Sequence, residues 1–421
     1  MEFEIEKKQI SKELYLAILL SAGKPTEFQI EQAGALAEEI DKEAFEKIVI
    51  SNRIHGLVME NIRRTGLFPA GECQKMEELA DRHTLEAMRL SGELIRIKKL
   101  FRSGGIRMML IKGPVLGMEL YGNVTCRVSH DLDILVSRED YRQAADLLRS
   151  AGFETEQQYT ARQMEQVLRV GHHEEFRSKD GIIIELHWRL DEAMALEIDD
   201  IWKERRELHF FGEYIAVPGA ADEALYLMHH GVQHGFYRIK WLLDIAEIIK
   251  QGKTDWNAVF RKAGERGSIF EVLTCVILCY SIRAFDLPDM ELGEIYIDTV
   301  RQKRVMYLRQ RDSGQISEAL KSAEKMLAEI DDVINLAGET EAPGETPVYG
   351  RYLHTYLREY GKWKGNNRGT WLLGKMRPGL RDFRRFQIPD KLYFIYYIIR
   401  PFYWVYWKMQ EYYTQQERKK G

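Results

Sequence analysis

Cysteine is scarce in this sequence. The four present, Cys73, Cys126, Cys275 and Cys279, show no paired spacing of the kind that holds a metal. Cys275 and Cys279 stand four apart in an apolar run, where helix core is the expectation, and a reducing cytoplasm is the expected compartment. No secretory leader is expected either, since Met-Glu-Phe-Glu-Ile-Glu-Lys-Lys does not read as a signal peptide. No internal repeat and no low-complexity tract occurs. The longest aromatic and apolar stretch, Tyr393–Met409, is broken by Arg400-Pro401 and is too short for a confident transmembrane helix. A large net charge is absent too, and −4 overall says nothing about nucleic acid.

What is present is a globular composition, 45% hydrophobic and 30% charged over 421 residues, enough for two or three domains. The charge is unevenly spread. Residues 351–421 hold 16 Lys/Arg against 5 Asp/Glu, a local balance of +11, which leaves about −15 for the rest. Helical spacing of apolar residues runs through Leu14, Leu16, Ala17 and Leu20, and again through Phe45, Ile48 and Ile50. Leu94–Phe101 reads as a helix ending at Gly104-Gly105.

The pattern then changes. Arg107–Ile111 reads as a strand, followed by a Lys112-Gly113-Pro114 turn into a helix. Leu132–Val136 is a second strand and Glu139–Ser150 an amphipathic helix. His173–Arg177 and Gly181–Trp188 form a hairpin turning at Asp180-Gly181. Helices return over Asp222–Phe236, Trp241–Ile249, Phe270–Phe285 and Asp298–Leu336, and Gly338–Pro347 reads as a linker.

The chemistry concentrates on Asp131 and Asp133. Two residues apart, they share one face at the mouth of a buried strand. Acids there are costly unless something positive neutralises them, and hard Mg²⁺ prefers carboxylate oxygens together with substrate phosphates. Glu185 is a third acid, in the apolar run Ile184-Glu-Leu-His-Trp188, and His187 shares its face. Three carboxylates from adjacent strands suit two Mg²⁺ ions. Gly113 permits close backbone approach before a helix N-terminus, and Lys112 adds a point charge suited to phosphate. Arg127 is a candidate phosphate clamp. His230 and His234, at i,i+4 beside His229, read as structural or substrate-contacting. Asp244 reads as a partner of Arg238 or Lys240, or as a substrate contact.

The ordered set Leu110-Ile-Lys-Gly113, Arg127-x-x-x-Asp-Leu-Asp-Ile-Leu-Val136 and Glu185-Leu-His-Trp188 resembles the uncharacterised nucleotidyltransferase family of the polymerase-β superfamily. His230-Gly-Val-Gln-His234 and Trp241-Leu-Leu-Asp-Ile-Ala246 resemble that family's later helical segment, so the likeness spans about residues 95–250. It implies an α+β fold, a small polymerase-β-like mixed sheet with helices, flanked here by N-terminal and C-terminal helical regions. It also implies a metal-binding triad of Asp131, Asp133 and Glu185, with Gly113 in the phosphate-binding turn. The chain departs from the wider superfamily in having Gly113-Pro114 for Gly-Ser, an 18-residue gap from Gly113 to Asp131, and Glu185 for the commoner Asp.

The expected organisation is an N-terminal helical region (1–95), a catalytic core (96–215), a helical substrate-binding region (216–337), and a linker with a basic aromatic C-terminal region (338–421). The expected activity is Mg²⁺- or Mn²⁺-dependent transfer of a nucleotidyl group from a nucleoside triphosphate to an unidentified acceptor hydroxyl, with no sequence-specific nucleic acid as partner. Lys112, Gly113, Arg127 and His187 are the expected nucleotide-binding residues; His230, His234 and Asp244 are candidate substrate contacts. A metal-dependent nucleotide-sugar glycosyltransferase and an inactive nucleotide-binding module are the alternatives. The C-terminal segment is expected to pack, burying Tyr397, Phe402 and Trp404 against the helical region; the alternative is peripheral contact with the inner membrane surface.

Overall fold

The computed structural model describes residues 10–69, 71–191, 196–266, 268–288, 378–403 and 406. The expected helix Asp298–Leu336, the linker at 338–347 and the position of Trp404 lie outside the described residues.

Five helices open the chain: α1 (Lys12–Leu19), α2 (Glu27–Ala37), α3 (Lys42–Ser51), α4 (His55–Thr65) and α5 (Gln74–Ser103). Local chemistry sets several of their ends. Thr26 and Gln29 form a reciprocal capping box, the Asp41 carboxylate caps α3, and Gly66 closes α4 in the left-handed region. The 30-residue α5 runs through the boundary expected at 95/96, so one rod belongs to both regions.

A mixed sheet follows, built from β1 (Met109–Leu110), β2 (Asp131–Leu135), β3 (Phe153–Glu154), β4 (His173–Ser178) and β5 (Ile183–His187) in spatial order β1-β2-β5-β4-β3. The central pair, β2 and β5, is parallel; every other neighbour is antiparallel. The expected hairpin is β4–β5, with Gly181 at φ 83° in its turn. Helices α6 (Pro114–Tyr121), α7 (Tyr141–Ser150) and α8 (Ala161–Val170) connect these strands. Strand β3 and helix α8 had no counterpart in the sequence reading. After a short α9 (Ile198–Ile201), a second hairpin, β6 (Arg206–Phe210) and β7 (Glu213–Val217), also went unread.

The later helices are α10 (Ala220–Gln233), α11 (Lys240–Gln251), α12 (Trp256–Arg266) and α13 (Ile269–Ser281). Cys275 and Cys279 are fully buried core residues of α13. Two apolar cores result. One joins α1–α4 to α10–α13; the other joins the sheet to α5, α7 and α8. The charge network Glu119–Arg206–Glu223 ties α6, β6 and α10 together between them.

The C-terminal part has a short helix α14 (Leu380–Arg385) and helical residues 395–403. Phe383, Tyr393 and Tyr396 join the sheet-side core, and Gln163 of α8 donates to the Tyr396 hydroxyl at 2.9 Å. The expected burial of Tyr397 and Phe402 is wrong: they are 48% and 75% exposed. The segment packs on α8 and on the α14 region through Tyr396, Tyr403 and Arg400, which leaves Tyr397 and Phe402 on its uncovered side. No helix among the described residues is long and apolar enough to cross a membrane.

Candidate active site

Strand pairing decides the site. In the parallel β2–β5 ladder Asp133 stands directly opposite Glu185, so the two acids project side by side on one face, on strands about 4.8 Å apart. Asp131 is on the same face two residues earlier, partly exposed at the strand's mouth. Asp133 is fully buried, and neither of its carboxylate oxygens accepts a well-directed hydrogen bond. Its compensation is ionic: Lys112 Nζ lies 3.1 Å from Asp133 Oδ1. His187 Nε2 bridges the acids, 3.5 Å from Asp133 Oδ1 and 3.3 Å from Glu185 Oε2.

The electrostatics follow. Burial opposes the Asp133 charge, but the Lys112 ammonium and His187 overcome it and hold this carboxyl far below its ordinary range. Burial and the Asp133 charge push Asp131 up to about 6, with Lys112 working against them. Lys112 is held firmly charged: burial opposes its charge, and Asp133, Tyr226, Asp131 and Glu185 together overcome that cost. Burial lowers His187, yet Asp133 and Glu185 raise it to about 9, making it an imidazolium at neutral pH.

Gly113 has φ 86° and ψ −149°, a backbone that a side chain would strain, and it leads into α6 with Pro114 at its first turn. The structure thus brings Lys112, Gly113, Asp131, Asp133, Glu185 and His187 together. Arg127 behaves differently. Its buried guanidinium donates to Asp244 Oδ2 at 3.0 Å and to Ser129 Oγ at 3.1 Å, and Tyr121 donates to Asp244 Oδ1 at 2.9 Å. Asp244 therefore pairs with Arg127, not with Arg238 or Lys240, and the guanidinium is occupied in holding the loop before β2 against α6 and α11.

His230 and His234 belong to an aromatic wall. His230 lies over Tyr226 with centroids 6.0 Å apart and edge-on to His234 at 4.5 Å, while His234 stacks on Trp241 at 5.0 Å. Burial and Lys112 keep His230 neutral, well below its ordinary value. Its neighbour His229 faces the other way, bridging Asp191 at 3.0 Å and Glu271 at 2.9 Å.

Sequence reading missed His173 and Tyr226, and named Lys240 only as a possible partner of Asp244. His173 is the register partner of His187 across the β4–β5 hairpin, a juxtaposition that counting outward from Asp180-Gly181 would have found. His173, Glu185 and His187 offer metal-ligand atoms all within 4.8 Å of one another. Lys240 donates to Val128 O at 3.3 Å, and burial together with Arg127 pushes it down to about 7. No local pattern marked Lys240, whose role comes from packing.

A family profile described as uncharacterised nucleotidyltransferase matches residues 38–282, more than half of the chain. The chain belongs to that family. No curated protein matches it. A solved structure with a detectable likeness is that of an antigenic nucleotidyltransferase-like protein from Paracoccidioides brasiliensis, 16% identical, covering 49% of this chain and 92% of the other with a TM-score of 0.30. The family match takes in α3 to α13 and so includes both the sheet acids and the helical wall.

The residues suit a divalent cation. Two buried, hydrogen-bond-free oxygens on Asp133 have only ionic compensation, and Asp131 and Glu185 stand beside them. An all-oxygen set of Asp131, Asp133 and Glu185 fits Mg²⁺; the mixed set of His173, Glu185 and His187 fits softer metals.

Proposed function

We propose that the protein transfers a nucleotidyl group from a nucleoside triphosphate to an acceptor hydroxyl, releasing pyrophosphate. The observation that carries this reading is the Asp133–Glu185 pairing across parallel β2 and β5, with Asp131 at the mouth and Lys112 buried against Asp133. Asp131, Asp133 and Glu185 would hold Mg²⁺ or Mn²⁺, which would supply charge neutralisation at the phosphate oxygens and activation of the acceptor hydroxyl.

The chain's own groups position and compensate. Lys112 balances Asp133 and presents a point charge toward phosphate, while Gly113 lets the backbone come close. His187 locks the two inner acids in one orientation. The wall of Tyr226, His230, His234 and Trp241 gives flat faces for a ring to stack on. Catalysis on this reading is mostly positioning and charge neutralisation.

The test is incubation with each nucleoside triphosphate, Mg²⁺ and cell extract, read by mass spectrometry. A nucleoside-monophosphate adduct that disappears with Asp131→Asn is the expected result. Transfer of a sugar from a nucleotide sugar instead would establish the glycosyltransferase alternative.

A second reading concerns location. Phe394, Tyr397, Ile398 and Phe402 are exposed on the C-terminal segment, near exposed Arg384, Arg385 and Lys391. An apolar face flanked by cations supports peripheral contact with an anionic membrane surface on the cytoplasmic side.

A further inference from the structure

A group of cations gathers near Asp131, where three segments meet; Asp131 and Asp244 act on Lys240 without an ion-pair contact, and Glu86 lies 3.4 Å from His130. The α3–α4 turn carries Arg53 and His55, the loop before β2 carries Val128 and His130, and the start of α11 carries Arg238 and Lys240. The junction is pinned by contacts. The Asn52 side chain accepts from Ile239 N at 2.7 Å, and Lys240 Nζ reaches Val128 O at 3.3 Å. Gly56 packs so closely that a Cβ would collide with the Thr125 carbonyl oxygen and lie 2.9 Å from that of Cys126.

Among the described residues, neither Arg53, Arg238 nor Lys240 has a carboxylate within ion-pair range. Arg238 lies over the Tyr237 ring at 4.8 Å, and Lys240 has only its carbonyl contact. The Nδ1 atom of 93%-buried His55 has no hydrogen-bond partner. Burial first, then neighbouring cations including Arg53, holds Arg238, Lys240 and His55 below their ordinary values. Arg53 also has φ 55°, a left-handed backbone that a non-glycine residue adopts at a cost. Half-buried like charges on strained backbone are unfavourable in the free protein, and a bound polyanion removes the repulsion.

We propose that Arg53, Arg238 and Lys240 form a polyphosphate subsite that takes the β- and γ-phosphates of the nucleoside triphosphate on the Asp131 side of the site. The nucleotide as source rests on the transfer reading above; the polyphosphate chemistry rests on the cations alone. The turn between α3 and α4, outside the sheet unit, thereby supplies a substrate contact. It does so where Arg127, committed to Asp244, does not.

The experiment is calorimetric titration of the full chain with inorganic tripolyphosphate, without divalent metal. Wild type should bind. Arg53→Gly should weaken binding about tenfold, as expected for loss of a charge-assisted contact, while its melting temperature stays level or rises because glycine relieves the left-handed backbone. Arg238→Gln should weaken binding similarly. A non-hydrolysable triphosphate should compete. Failure of wild type to bind, or equal binding by both arginine variants, overturns the subsite. Arginine-dependent tripolyphosphate binding without competition from any triphosphate keeps the subsite and overturns its nucleotide source, and with it the transfer reading.

Discussion

On strands β2 and β5 the acids of the site occupy fixed register positions, whereas on α10 and α11 each polar group is defined by what packs against it. Asp133 meets Glu185 because a ladder pairs them residue for residue. His229 and His230 are neighbours in α10, yet one locks Asp191 to Glu271 and the other faces the aromatic wall. Strand periodicity tells which residues share a face and a ladder; helix periodicity tells only which share a stripe. The acidic half of the site is thus rigidly specified, and the helical half is tunable.

The largest effects should come from breaking the strand side. Asp131→Asn should reduce transfer activity roughly 10³-fold, since charge neutralisation is the main catalytic contribution. It should leave the melting temperature unchanged or slightly higher, because burial and Asp133 already disfavour the Asp131 charge. Asp133→Asn should abolish activity and also lower stability, leaving Lys112 and His187 buried without their partner. Equal thermal behaviour of the two variants would show that the acids are not electrostatically distinct.

Breaking the helical side should cost stability before chemistry. Arg127→Ala should destabilise the protein by about 3–5 kcal/mol, the usual consequence of stranding one member of a buried ion pair, here Asp244. Urea denaturation of the single variants and of Arg127→Ala with Asp244→Ala would measure the coupling. Additive losses would mean that the pair is not a unit.

A smaller effect separates His229 from the site. Burial lowers it, but Asp191 and Glu271 raise it to about 9. A raised value means stability that is fully present below about 6.5 and lost as pH climbs through about 9, on the order of 3 kcal/mol in all. Wild-type melting temperature should fall across that window, and His229→Gln should flatten the slope. An unchanged slope would place the dependence elsewhere.

The smallest effect belongs to the C-terminal face. Tyr397→Ser with Phe402→Ser should change stability by no more than about 0.5 kcal/mol, since both side chains are exposed. Salt-sensitive flotation with anionic liposomes should weaken. Flotation identical to wild type would dismiss the membrane contact.

Composition, periodicity and turn chemistry were enough to read the strand–turn–helix at Lys112-Gly113-Pro114, the strand of Asp131 and Asp133, and the hairpin of Glu185 and His187. All of these are local patterns of period two or of special backbone, carried by residues close in sequence. The two-residue β3 is too short to show a period, and the β6–β7 hairpin was not legible because Arg206-Glu-Leu-His-Phe210 is largely charged or polar and shows no apolar run. Nor was the partner of Arg127, which lies 117 residues away at Asp244. The junction of the α3–α4 turn with the start of α11, and the exposure of Tyr397 and Phe402, were decided in the same way. Long-range packing alone determines which charge faces which and which side of an all-round aromatic helix finds a neighbour.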